Sequence, residues 1–123
     1  MAAISPTVSI LEQVSPNIGP AITYTWTGVT EADTFVAAEV PLVLPDRTVH
    51  IFGTFGSATV VINGSINGST YTALNDQSDN ALSKTAAAIE SIAQLTRYVQ
   101  PTHSGGTSES VTVILLAGGP RRV

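Results

Sequence analysis

The chain has 123 residues, which suits a single domain, and it contains no cysteine, which excludes disulfides and thiolate metal sites. Charged residues make up 11% and apolar residues 43%, a balance that excludes a disordered polar chain, and the net charge of −4 argues against a nucleic-acid partner. No apolar run approaches the roughly 18 residues that cross a bilayer, and the first residues lack a signal-peptide pattern. We expect a small, charge-poor domain that is made inside the cell and has no membrane partner.

The first twenty residues differ from the rest because Pro6, Pro16 and Pro20 interrupt them. Proline has no amide donor and fixes φ, so these residues are disfavoured in a central strand. We predict that residues 1–20 form an extended arm that stays outside the central sheet. Its apolar side chains would be exposed unless a partner covers them, and we take five as candidate contacts: Ile4, Val8, Ile10, Leu11 and Val14.

Threonine, valine and isoleucine are abundant after residue 20, and apolar and polar residues alternate, which is typical of β-strands. Residues 22–29 predict a half-buried strand with Trp26 on its buried face. Residues 34–44 predict one or two short strands broken by Pro41. Residues 48–65 predict a hairpin with its turn at 55–57. Trp26 should share one core with a group of apolar residues from later segments: Phe55, Val60, Ile62, Val113 and Leu115.

Turn signals divide the second half of the chain. Asn-Gly pairs at 63–64 and 67–68 predict two turns, residues 69–74 a strand, and residues 75–80 a polar loop. Residues 110–117 predict a strand that is buried on both faces, followed by a tail at 119–123. Arg121 and Arg122 in that tail are candidate contacts for an acidic partner. Short strands joined by glycine-rich turns predict an antiparallel β-sandwich or jelly roll over residues 21–118.

The segment 81–99 fits two structures. Three consecutive alanines and apolar residues at helical spacing favour a helix at 84–94 on local propensity alone. Two strands separated by a turn fit nearly as well.

Few residues offer chemistry. His50 and His103 are the two histidines, and no nucleophile motif accompanies them. Asp76 and Asp79 lack the ligand spacing of a calcium loop. The aromatic residues Trp26, Tyr24 and Tyr71 could form a platform for a sugar, although the alternation around Trp26 favours burial. We therefore expect no enzymatic activity, no bound metal and no other cofactor.

Three segments together resemble a group of small virion proteins of tailed bacteriophages, and the resemblance covers about residues 22–117. They are GTFGSATVVINGSINGSTYTALND (53–76), LSKTAA (82–87) and RYVQPTHSGGTSESVTVILLA (97–117). The chain departs from the pattern where Gln100 replaces a usual arginine and Ala88 a usual glycine. In this group 82–87 and 95–101 are strands, which leaves at most one helical turn near 88–94.

The members most similar to this chain resemble capsid decoration or cement proteins with jelly-roll-like folds. The resemblance implies a structural protein on the capsid exterior of the virion, with the major capsid protein as partner and self-association as a dimer or trimer. Two alternatives are a carbohydrate-binding β-sandwich module displayed on the virion and a small tail or neck component. The resemblance transfers no catalytic residue.

Overall fold

The computed structural model describes residues 2–11 and 21–119, and the regular structure of these residues is entirely β. The strands in chain order are β1 (Ala3–Ile4), β2 (Thr7–Leu11), β3 (Ala21–Val29), β4 (Thr34–Phe35), β5 (Ala38–Glu39), β6 (Asp46–Thr54), β7 (Thr59–Ser65), β8 (Thr72–Ala73), β9 (Ser83–Lys84), β10 (Ala88–Ser91), β11 (Tyr98–Ser104) and β12 (Ser110–Gly118). Within the described ranges there is no helical segment that could cross a lipid bilayer.

Two antiparallel sheets enclose the core. The front sheet has the strand order β10-β6-β12-β3-β2, and the back sheet has the order β5-β11-β7-β8, with β9 also paired to β7. The short strands β1 and β4 form a separate parallel pair. Apolar residues from both antiparallel sheets form one buried cluster. The predicted all-β antiparallel sandwich is confirmed.

Trp26 lies at the centre of this core and is fully buried, as the alternation in β3 predicted. Its indole Nε1 donates a hydrogen bond of 2.9 Å to the carbonyl oxygen of Val36. Its ring meets the Phe35 ring edge-on, with centroids 6.2 Å apart. Four of its five predicted neighbours are buried in the same cluster: Val60, Ile62, Val113 and Leu115. The fifth, Phe55, packs against the cluster and is partly exposed.

Strand β12 is the central strand of the front sheet, but only one of its faces is fully buried. Val111, Val113 and Leu115 point into the core, whereas Ile114 is half-buried and Leu116 is exposed. The prediction of burial on both faces is therefore wrong. The run of apolar residues at 113–116 hid the alternation, because sequence alone does not show whether a second layer covers the outer face.

The predicted turn at 55–57 forms, but the predicted hairpin does not. Gly56 and Ser57 have positive φ angles, and the amide of Ala58 donates to the carbonyl of Phe55. The turn carries the chain from one sheet to the other: β6 pairs with β10 and β12, and β7 pairs with β11 and β8. A Cβ at Gly56 would lie 2.0 Å from the carbonyl oxygen of Thr107, so this crossing requires glycine.

One of the two predicted Asn-Gly turns is a turn. Asn67 accepts hydrogen bonds from the amides of Ser69 and Thr70, and Gly68 has a positive φ. Asn63 and Gly64 instead lie inside β7, which pairs with β11 on one side and β8 on the other. The residues expected as one strand at 69–74 form only the two-residue strand β8.

The ambiguous segment contains no helix. Residues 88–91 form β10 along the edge of the front sheet, with Ala88 opposite Ile51 and Ser91 opposite Thr48. Local propensity alone favours a helix at 84–94 and none forms there, whereas the resemblance, which allows at most one helical turn near 88–94, agrees with the structure. Alanine favours a helix by only about 0.5 kcal/mol per residue over the alternatives, and pairing with β6 outweighs that preference. Of the two strands implied there, 82–87 is reduced to β9, and the second begins at Tyr98 rather than at 95.

The described part of the N-terminal segment, residues 2–11, contains two short strands, and the second belongs to the front sheet. Residues 7–11 pair along β3, with Val8 opposite Tyr24 and Ile10 opposite Ile22. The prediction that prolines keep this segment out of the central sheet is wrong for residues 7–11, because Pro6 precedes the strand and Pro16 and Pro20 follow it. Among residues 2–11 and 21–119, strand β2 lies at the edge of the front sheet, and Pro6 lies before its first residue.

We expect Trp26→Ala to destabilise the domain by about 3–5 kcal/mol, because it empties the centre of the core and leaves the Val36 carbonyl without its donor. Urea unfolding of the full chain measures the change. Trp26→Phe keeps most of the apolar volume and should cost less. A loss below about 1 kcal/mol for Trp26→Ala would contradict the central position of this side chain.

Candidate functional site

The outer edge of strand β2 is the first candidate interaction surface. Among the described residues, β2 pairs with β3 alone, so its other edge presents backbone donors and acceptors. Val8 and Ile10 point to the core side of the sheet, opposite Tyr24 and Ile22. They are nevertheless 55% and 71% exposed, because the back sheet does not extend over β2. An uncharged edge strand with exposed apolar residues is a template for pairing with another strand.

The predicted contact residues of the arm do not form one patch. Val8 and Ile10 share a face, and Leu11 lies on the opposite face of the same strand. Ile4 pairs beside Phe35 and packs against the core, so it is partly buried and is not a free anchor. Val14, Arg121 and Arg122 lie outside the described residues.

A β-turn with an apolar tip is the second candidate surface. The amide of Leu44 donates to the carbonyl of Pro41, which places Leu42 and Val43 at the two corners of the turn. Turn corners usually carry glycine, asparagine or aspartate. Here Leu42 is 55% and Val43 76% exposed. We call residues 41–44 the apolar tip.

The buried side chain of Arg47 fixes the apolar tip. Its guanidinium donates to the carbonyl of Leu44 (3.0 Å), to that of Pro41 (3.3 Å) and to that of Thr96. Burial lowers the pKa of Arg47, and the nearby Tyr24 phenol opposes that shift. Three carbonyls from two loops thus converge on one cation, so the tip is held at a defined distance from residues 95–97.

An uncharged groove lies on the other side of Thr96. It has a volume of about 780 Å³, and Ile66 and Leu95 are its exposed apolar residues. A Cβ at Gly64 would lie 2.8 Å from both Leu74 and Thr96, so glycine is needed where β7 passes beneath the groove. None of the lining residues is charged; they include Gly64, Ile66, Thr72, Leu74, Gln94 and Leu95.

His103, one of the two histidines considered for chemistry, is part of a buried structural pair. Its Nε2 lies 2.7 Å from the carbonyl oxygen of Asp33, so that nitrogen carries a proton and donates it. Its Nδ1 lies 2.8 Å from the carboxylate of Glu109, which is almost fully buried. Both ring nitrogens are therefore engaged, and the pair links β11 to the start of β12 and to the turn at 30–33.

The remaining candidates do not form a catalytic or ligand constellation. His50 lies on the outer face of β6, and the centroid of its ring lies 4.7 Å from that of Phe52. Asp76 accepts hydrogen bonds from the amides of Ser78 and Asn80 and thereby shapes the polar loop. In the described ranges, no three histidine or acidic residues are grouped as metal ligands.

The aromatic platform considered for a sugar is not assembled either. Trp26 and Tyr24 are buried in the core, and the Tyr24 hydroxyl donates to the carbonyl of Glu39 at 3.4 Å. Sequence reasoning named the exposed residues of β2 but missed those of the apolar tip and of the groove. The only available signal was the Leu42–Val43 pair between two prolines, which we interpreted as part of a strand.

The chain matches no known protein-family model and no curated protein. Among solved structures, it is similar to the SPBc2 prophage-derived protein YomS, with a TM-score of 0.57 and 13% identity over 93% of each chain. It also matches the PBSX exported protein XepA, with a TM-score of 0.44 and 16% identity over 95% of this chain and 36% of XepA. At such identities, the likeness to YomS shows a shared fold.

We expect Arg47→Met to destabilise the domain by about 2–4 kcal/mol, because methionine fills similar space but removes the guanidinium donor from the carbonyls of Leu44 and Thr96, while the Pro41 carbonyl keeps the Leu44 amide. Chemical unfolding checks this value. Arg97→Met is the matched control: that guanidinium is exposed and pairs with Glu39 in solvent, so its loss should destabilise the domain much less than the loss of Arg47. Equal losses in the two variants would show that Arg47 does not hold the tip.

We expect Glu109→Ala to cost about 3–5 kcal/mol, because it removes one member of a buried, hydrogen-bonded pair and leaves His103 without its partner. Glu90→Ala serves as control, since Glu90 pairs with Lys84 at the partly exposed edge of the front sheet. Thermal unfolding of both variants distinguishes the two sites. A small shift for Glu109→Ala would mean that the pair adds little to stability.

Proposed function

We propose that this protein is a structural component of a phage particle that binds the outer face of the capsid shell and reinforces it. The role is non-enzymatic, and its partner is the major capsid protein. The sequence pattern at 53–76, 82–87 and 97–117 supports a phage virion protein, and the fold shared with prophage-derived YomS supports a phage-related role.

The observation that carries the proposal is the outer edge of strand β2, which no strand of the described residues covers. A strand of the capsid protein can pair with this edge through backbone hydrogen bonds, and its side chains can cover Val8 and Ile10. The strand TVSIL has no charge, so the pairing incurs no cost for burying an ionised group. Leu11 would contact the partner from the other face of the strand.

Reinforcement follows from repetition of a modest contact. An interface of standard size buries about 800 Å² on each partner and leaves a net gain after the cost of association. The same contact repeated over a shell adds to its resistance against the pressure of the packaged genome. The proposal therefore requires a high copy number.

We expect hundreds of copies per particle, at a simple ratio to the major capsid protein. Quantitative gel densitometry of purified particles measures the ratio. Six or twelve copies would instead place the protein in the tail or neck.

The carbohydrate-binding alternative requires exposed aromatic rings, and Trp26 and Tyr24 do not provide them because both are buried.

The contact itself can be tested with Ile10→Asp, which puts a charge on the proposed interface. We expect this variant to fold normally and to co-sediment with undecorated shells at least about tenfold less well than the original chain. Ile89→Asp is the matched control: Ile89 is 64% exposed, against 71% for Ile10, and lies on the opposite edge strand of the same sheet. Equal binding by both variants would overturn the role of β2.

A further inference from the structure

The apolar tip and the uncharged groove lie side by side and match in chemistry. The tip presents Leu42 and Val43, two exposed aliphatic side chains, at the end of a tight turn. The groove offers about 780 Å³ lined by uncharged residues, with Ile66 and Leu95 exposed at its surface. A volume of this size lies in the range of pockets that enclose a ligand and accommodates two aliphatic side chains.

Arg47 sets the distance between the two features. Its guanidinium binds the carbonyl of Pro41 at the tip and the carbonyl of Thr96 at the groove. The amide of Val40 also donates to the carbonyl of Arg97 at 2.8 Å. The tip therefore cannot fold into the groove of its own chain without breaking these bonds, but it can enter the groove of another molecule.

We propose that two copies of this chain associate through this end of the sandwich, each inserting its apolar tip into the groove of the other. Because tip and groove are neighbours on one molecule, both contacts form around a single two-fold axis and the assembly closes as a dimer. Strand β2 belongs to neither surface. The dimer is thus independent of the proposed capsid contact, and each can fail without the other.

Charge favours a second copy over a charged partner. A charged occupant would be desolvated in the groove without an opposite charge among the lining residues. Beside the tip, Glu39 and Arg97 already form an ion pair with an N–O distance of 2.8 Å, so two copies bring no unpaired charge together at this rim. The net charge of −4 opposes association only at long range, where salt screens it.

Sedimentation velocity of the full chain over a concentration series provides the first test. We expect a monomer–dimer equilibrium that salt leaves unchanged or strengthens. Val43→Lys and Leu95→Glu should each raise the dissociation constant at least about tenfold, because each places a charge in an apolar contact. The control Ile89→Asp should dimerise like the original chain. A chain that remains monomeric at all concentrations overturns the proposal.

Mixing the two variants provides the decisive test. In a mixed dimer, the lysine of Val43→Lys in one copy enters the groove that carries the glutamate of Leu95→Glu in the other, while the second tip and groove are unaltered. We expect the mixture to recover a heterodimer that neither variant forms as a homodimer, and this recovery should weaken with salt. Failure to recover it overturns the reciprocal contact.

Two further variants keep the result interpretable. If Leu95→Glu reduces the melting temperature, Ile66→Glu replaces it, since Ile66 is exposed in the same groove. Ile10→Asp distinguishes the alternative of pairing between two β2 strands. A dimer that Ile10→Asp disrupts and Val43→Lys leaves intact overturns the tip-and-groove assignment.

Discussion

The guanidinium of Arg47 connects two loops that do not pair with each other as β-strands. It enters the core side of the front sheet from β6 and binds carbonyls of the loops at 41–44 and 95–97. A charge-poor core tolerates this cation because three carbonyl oxygens replace its water. The arrangement stabilises one end of the sandwich and, together with the bond between the Val40 amide and the Arg97 carbonyl, fixes the spacing of the apolar tip and the groove.

The low charge of the chain also matters at the edge of strand β2, where it favours contact with a partner. Within the described part of the chain, strand β2 is paired along one edge alone, and it presents three exposed apolar residues and no charge that would discourage pairing. Proteins that stay alone usually protect such an edge with lysine, proline or a bulge. The strand TVSIL contains neither lysine nor proline, and the proposed function rests on this strand.

The buried pair of His103 and Glu109 shows how the fold uses its few ionisable residues. Two of the candidates that sequence alone offered for chemistry have structural roles, since His103 links three segments and Asp76 shapes a loop. Both ring nitrogens of His103 are occupied, so the side chain is not free to act as a base. The two proposed contacts therefore use apolar surfaces rather than ionisable side chains.

Local pattern predicted the long strands β3, β6, β7 and β12, the burial of Trp26 and the polar loop at 75–80, because alternation and turn residues act within a few positions. Only the tertiary structure decided which strands pair. The turn at 55–57 leads from β6 in one sheet to β7 in the other, so the two strands do not pair. Residues 88–91 become an edge strand, and residues 7–11 extend the front sheet. The burial of Arg47 and the exposure of Leu42 and Val43 were likewise set by packing. These features depend on contacts between residues far apart in the chain, and periodicity carries no information about them.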